Sequence, residues 1–167
     1  MKYLHLQGKE IRVPQPGDSF LLGSAEVIFL GPVNRKLAAE NENNASLVLK
    51  IIYGETSFLF MGDAEKEEEA SILEAGADLS CTVLKVGHHG SYTSSSDAFL
   101  KAANPACCVI SVGADNTHNH PHDSVMRRIR RFRAEVYRTE LQGEILCISD
   151  GHNVRFATSK TAGDQDS

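Results

Sequence analysis

Between residues 56 and 138 the sequence switches repeatedly between short apolar runs and helix-patterned stretches. The runs at 56–61, 82–86, 107–112 and 135–138 are rich in β-formers, and helical patterns at 64–75, 96–103 and 124–133 separate them. Strands that alternate with helices of this length predict an α/β layer with a parallel sheet. Ahead of this region the pattern is different. Residues 10–14 alternate, Gln15-Pro16-Gly17-Asp18 is turn chemistry, and 19–22, 26–30 and 46–53 read as strands. Gly54-Glu55 separates the last of these from 56–61, the spacing of a tight hairpin. Residues 34–44 are rich in Asn and Glu without a clear period and read as a surface loop. Strands at 144–148 and 153–156 close the pattern. The expectation is one domain over 1–158 and a mobile polar tail over 159–167.

Composition narrows the class. With 41% hydrophobic and 23% charged residues the chain has enough apolar sequence for a core, which excludes wholesale disorder. No run reaches the roughly 18 apolar residues of a membrane span, so no membrane segment is expected. The net charge of -5 argues against general nucleic-acid affinity and leaves local basic patches open. Cys81, Cys107, Cys108 and Cys147 form no CxxC pair and lie in or beside apolar runs. They read as reduced and buried, which favours a reducing, cytoplasmic setting.

Chemistry-bearing residues stand at the ends of the strand-like runs, where α/β folds present their sites. Met61-Gly62-Asp63-Ala64 puts a carboxylate just before a helix, where it could also serve as the N-cap. Lys85-Val86-Gly87-His88-His89-Gly90-Ser91 sets two imidazoles between glycines, a pattern that suits metal binding or acid/base work better than packing. In the segment 116–123, His118, His120 and His122 alternate and would share one side of an extended backbone; the bland reading is a polar loop that leads to a helix capped by Asp123 or Ser124. Asp63, His88, His89 and His120 together make a partial shell for zinc or manganese, and the reaction class that follows is metal-assisted hydrolysis.

The segments Asn43-Asn44-Ala45-Ser46, Phe58-Leu59-Phe60-Met61-Gly62-Asp63-Ala64, Leu84-Lys85-Val86-Gly87-His88-His89-Gly90-Ser91, Val109-Ile110-Ser111-Val112-Gly113 and Val136-Tyr137-Arg138-Thr139 resemble the metallo-β-lactamase-fold domain of ComEC-like competence proteins. The resemblance covers residues 9–151 and implies an αββα sandwich. It implies that Asp63 is a metal-bridging carboxylate, that the His88-His89 pair supplies a late ligand, and that His120 is a catalytic substrate contact or proton donor. It also implies a phosphodiesterase or nuclease acting on DNA, in a parent protein that is membrane-associated. The sequence departs from the family in lacking the HxHxDH-type motif; the one histidine ahead of Asp63 is His5, without an acidic partner nearby. The chain therefore reads as the C-terminal portion of a hydrolase, inactive alone and holding too few ligands for its metal. The alternative is a noncatalytic binding module that pairs an exposed sheet edge with a partner or a second copy.

Two further features bear on substrate. Residues 126–133 hold five arginines; Val125, Ile129 and Phe132 share one helix face and Arg127, Arg128 and Arg131 the opposite one. The arginine face reads as a solvated surface or as a phosphate-tracking patch. Ser91 opens a hydroxyl-rich loop and is a candidate substrate contact, whereas Ser95 or Ser96 suits the cap of the next helix.

Overall fold

The computed structural model describes residues 12–160. Seven strands form one sheet: β1 (Ser19–Leu22), β2 (Ala25–Gly31), β3 (Val48–Tyr53), β4 (Thr56–Phe60), β5 (Val83–Lys85), β6 (Cys107–Ile110) and β7 (Glu135–Arg138). Their order in space is their order along the chain. The first four pair antiparallel, and β4 to β7 run parallel. The β3–β4 hairpin pairs Tyr53 with Thr56 across Gly54-Glu55, as the two-residue spacing predicts.

Sheet order dictates where the helices lie. Each parallel step moves one strand in the same direction, and crossover connections are right-handed. The connecting helices α2 (Lys66–Glu74), α3 (Asp97–Ala103) and α4 (Asp123–Arg131) therefore stack on one face. Between them and the sheet lies the core, with Ile72, Phe99, Leu100, Val125 and Ile129 packed on Val48, Leu59, Leu84, Cys108 and Ile110. The other face carries the two-stranded sheet β8 (Ile145–Ser149) and β9 (Val154–Thr158). Phe156 of β9 stacks on Tyr137 of β7 with ring centroids 4.0 Å apart. Thr56 and Ser149 share a 2.7 Å hydroxyl contact at the start of β4.

Several elements differ from the sequence reading. Residues 34–44 are not an open loop: α1 (Arg35–Glu40), capped by the Asn34 side chain, and the 3-10 turn Glu42–Ala45, capped by Asn41, occupy them. Asn side chains that cap their own backbone form short helices without any apolar period. Arg12 to Pro14 are not strand, and Glu10 and Ile11, like His5, lie outside the described residues. Helix α2 starts at Lys66, so Asp63 is not its cap. Helix α4 is capped by His122, whose ring accepts from Ser124 N–H, and not by Asp123 or Ser124. Ser96 does cap α3, accepting from Phe99 N–H. Of the expected tail, Ser159 and Lys160 are tied by backbone bonds to Glu144 and Gln142, and residues 161–167 lie outside the described part. No helix among the described residues is long and apolar enough to cross a membrane.

The four cysteines are unpaired; three are buried and Cys147 is half-buried. Burial pushes the Cys81 and Cys108 thiols up to about 12, so both behave as small apolar groups.

Candidate functional site

The carboxyl ends of β4, β5 and β6 lead into three neighbouring loops, and backbone bonds hold those loops together. His88 N–H donates to Gly62 O at 2.9 Å, and His122 N–H donates to Gly90 O at 2.9 Å. Two glycines make these approaches possible. Gly62 has φ +55, and a Cβ there would lie 2.8 Å from the Ser46 Cβ; Gly90 has φ +79, and a Cβ would lie 2.7 Å from the Pro121 Cβ. Asp63 follows Gly62, and its N–H donates to Ser46 Oγ at 2.9 Å.

The two adjacent histidines both adopt left-handed backbone, φ 46 and 53, and this turn sends their rings in different directions. His89 Nδ1 lies 2.6 Å from the Ser111 carbonyl. A carbonyl only accepts, so Nδ1 carries a proton, and in the neutral ring Nε2 is then the nitrogen with the lone pair. That Nε2 lies 3.5 Å from Asp63 Oδ1, and both side chains are about half exposed. His88 instead turns to Glu65, with Nδ1 3.2 Å from Oε1. Glu65 also accepts from Asn41 Nδ2, Asn43 Nδ2 and Thr93 Oγ1 at 2.9 to 3.0 Å. Although burial opposes it, this set of donors lowers the Glu65 pKa below the usual carboxylate value.

The histidines of the third loop divide. His120 meets His88 edge-on at 5.8 Å between ring centroids and stacks on His118 at 5.7 Å. His122 leaves this group and packs against Tyr92 at 5.7 Å. The Asn116 side chain clamps the His120 backbone on both sides, accepting from its N–H at 2.8 Å and donating to its carbonyl at 2.9 Å. Burial, then the neighbouring imidazoles His88, His118, His89 and His122, holds His120 below the usual histidine pKa. This shift favours the uncharged ring.

Asp63 and His89 are two donors of the type that borderline metals take, but zinc sites normally use three or four protein ligands. Among the described residues no group of three His, Cys, Asp or Glu side chains converges on one point. Asp63 and His89 thus stand as a pair of potential donors with no third beside them among the described residues.

The substrate candidates are also repositioned. Ser91 is buried, and its hydroxyl pairs with Thr93 Oγ1 at 3.0 Å, inside the loop rather than on its surface. Arg128 is half-buried; its guanidinium donates to the Ser95 and Ser94 carbonyls at 2.7 and 2.9 Å. Arg131 pairs with Asp97 at 2.6 Å. Of the three arginines expected on the outer face, Arg131 alone makes an ion pair, and Arg127 alone makes neither an ion pair nor a side-chain hydrogen bond among the described residues.

Sequence reading missed Glu65, Thr93 and the Asn41/Asn43 pair, because acids after a strand read as helix-start charges and the Asn-rich stretch as a loop. It also missed Glu69. This buried carboxylate on α2 accepts from the Ser95 and Ser96 N–H groups, the latter at 2.8 Å, and pins the loop that follows the histidine pair. One signal was available: a fourth acid within five residues of a nine-residue helix exceeds what the helix dipole uses.

No family model matches the chain. It is similar to ComE operon protein 3 of Bacillus subtilis, 34% identical over 139 residues, which cover 83% of this chain and 18% of that protein. It is also similar to Competence protein ComA of Neisseria gonorrhoeae, 39% identical over 118 residues, covering 70% of this chain and 17% of that one. Recombination protein 2 of Haemophilus influenzae is 36% identical over 116 residues, again 70% of this chain and 14% of the relative. The chain is homologous to part of these competence proteins. It spans less than a fifth of the length of the curated relatives it matches. The homology agrees with the competence resemblance read from the strand-end motifs.

Proposed function

We propose that the chain forms part of a DNA-uptake protein of the ComEC-like type and contributes two ligands and a binding surface to a metal-dependent phosphodiesterase or nuclease with a metallo-β-lactamase-like sandwich. The observation that carries this reading is the fixed tautomer of His89. The bond to Ser111 O leaves Nε2 of the neutral ring available as a ligand atom beside the Asp63 carboxylate, which is how a metal-ligating imidazole is held by an outer hydrogen bond. Zinc or manganese bound there would supply an activated water, with the remaining ligands coming from outside residues 12–160. His88, tied to Glu65, orients the loop. His120, neutral and fixed by Asn116, suits a proton-transfer or substrate-contact role.

Calorimetric titration of the chain with zinc and with manganese tests the assignment. Asp63→Ala and His89→Ala are each expected to weaken metal affinity about tenfold or more, while His88→Ala leaves it nearly unchanged. Loss on His88→Ala with none on His89→Ala would overturn it. The chain alone is expected to show no hydrolysis of a bis-aryl phosphodiester above background.

A second reading, a module that pairs with another copy, is favoured by β1. Among the described residues this strand lies at one edge of the sheet, with Leu21 74% and Leu22 64% exposed, and an apolar edge is a template for strand pairing. Light scattering during size exclusion tests it: a dimer is expected, and a monomer at all concentrations would exclude it.

A further inference from the structure

An aromatic pair and a basic groove lie end to end beside the candidate centre, and neither is needed for metal binding. Tyr92 sits in the loop after the histidine pair and is 60% exposed. Lys66 Nζ holds its backbone carbonyl at 2.6 Å, so the ring stands on a fixed base. Its ring packs at 5.7 Å against His122, whose Nδ1 is engaged by Ser124 Oγ at 2.8 Å. Ser124 in turn opens a groove of about 580 Å³ lined by Arg127, Arg128, Arg130, Arg131 and Asp97. Asp97 neutralises Arg131 and Arg128 is turned to backbone carbonyls, which leaves Arg127 and Arg130 exposed as the cationic rim. This concentration of positive charge stands out on a chain with a net charge of -5.

We propose that Tyr92, backed by His122, is a base-stacking platform and that the Arg127/Arg130 groove tracks the adjoining phosphates, so that this surface takes single-stranded nucleic acid. The strand runs from the candidate centre past Tyr92 and along α4. An exposed phenol ring gains by stacking on a base face, and base faces are open only outside a duplex. At about 1.5 Å per residue, Arg127 and Arg130 lie roughly 7 and 12 Å along the helix axis from His122, the direction in which a phosphate backbone leaves a stacked base. Recognition here needs no metal. The proposal rests on the nuclease reading for its biological sense, but its contacts are separate from Asp63 and His89.

Fluorescence anisotropy with a labelled 15-nucleotide oligothymidine and its matched duplex, in the presence of a chelator, tests the surface. Tyr92→Ala is expected to weaken single-strand binding about 5- to 100-fold and Tyr92→Phe to restore it. The double variant Arg127→Ala/Arg130→Ala is expected to reduce the slope of log affinity against log salt by about 1.4. Equal affinity of wild type and Tyr92→Ala for the single strand, or tighter binding of the duplex, would overturn the proposal. Oligonucleotide binding that depends on Tyr92 in a chain that binds no metal would sink the metal-centre reading alone. Intact metal binding without oligonucleotide binding would sink this one alone.

Discussion

Glu69 shows how much a single side chain can determine in this molecule. It is 1% exposed, and it satisfies two backbone donors at the point where Ser95 takes left-handed φ 56 and α3 begins. Burial, the largest influence, raises its pKa, and the two amides oppose that. Glu69→Ala would leave both N–H groups buried without a partner, and a loss of about 3 kcal/mol in urea unfolding is expected. The loop it pins carries Tyr92 and Ser91, so oligonucleotide binding should fall with it. The histidine pair illustrates what sequence can and cannot convey at this scale. Their chemistry was legible from two imidazoles between glycines after a strand. Which ring reaches Asp63 was not, because left-handed backbone breaks both the helical and the extended period on which such readings depend.

Among the elements, α4 was legible from its amphipathic pattern, and Val125 and Ile129 are buried as that pattern requires. The arginine face was only half legible. Periodicity places Arg128 outward, but an arginine stem can fold along the surface and deliver its head to carbonyls on the next loop. Arg128→Ala is therefore expected to cost about 2 kcal/mol, whereas Arg127→Ala stays within about 0.5 kcal/mol, as thermal melts of the two variants would show. The sheet holds a second charged device. Lys50 on β3 is buried, and its Nζ meets Asp78 Oδ2 at 2.8 Å. Hydrogen bonds from Lys50 and Ser80 bring the Asp78 carboxyl down to about 2. A lowered folded pKa stabilises above the unfolded value near 3.8 and ceases to do so as pH falls toward 2. Acid unfolding of the wild type should show this loss between about pH 4 and 2, and Asp78→Asn should remove that part of the pH dependence.

For the whole molecule, the α/β class and most strands followed from run length and turn residues, because buried parallel strands read as short apolar blocks. Helix α1 and the Asn-capped turn were hidden, since their stability comes from side-chain caps and from Glu65 across the fold rather than from an apolar stripe. The placing of Asp63, His88, His89 and His120 on strand-end loops was legible, because each follows an apolar run. The tie between the strand-end loops was not, although it gives the site its stiffness. Loops that bond to one another through main-chain amides open only when the strands beneath them separate. The amide protons of His88 and His122 should therefore exchange with deuterium nearly as slowly as those of β5 and β6, and faster exchange, typical of surface loops, would disprove it. In exchange experiments, the loops that frame the candidate site would be counted with the core.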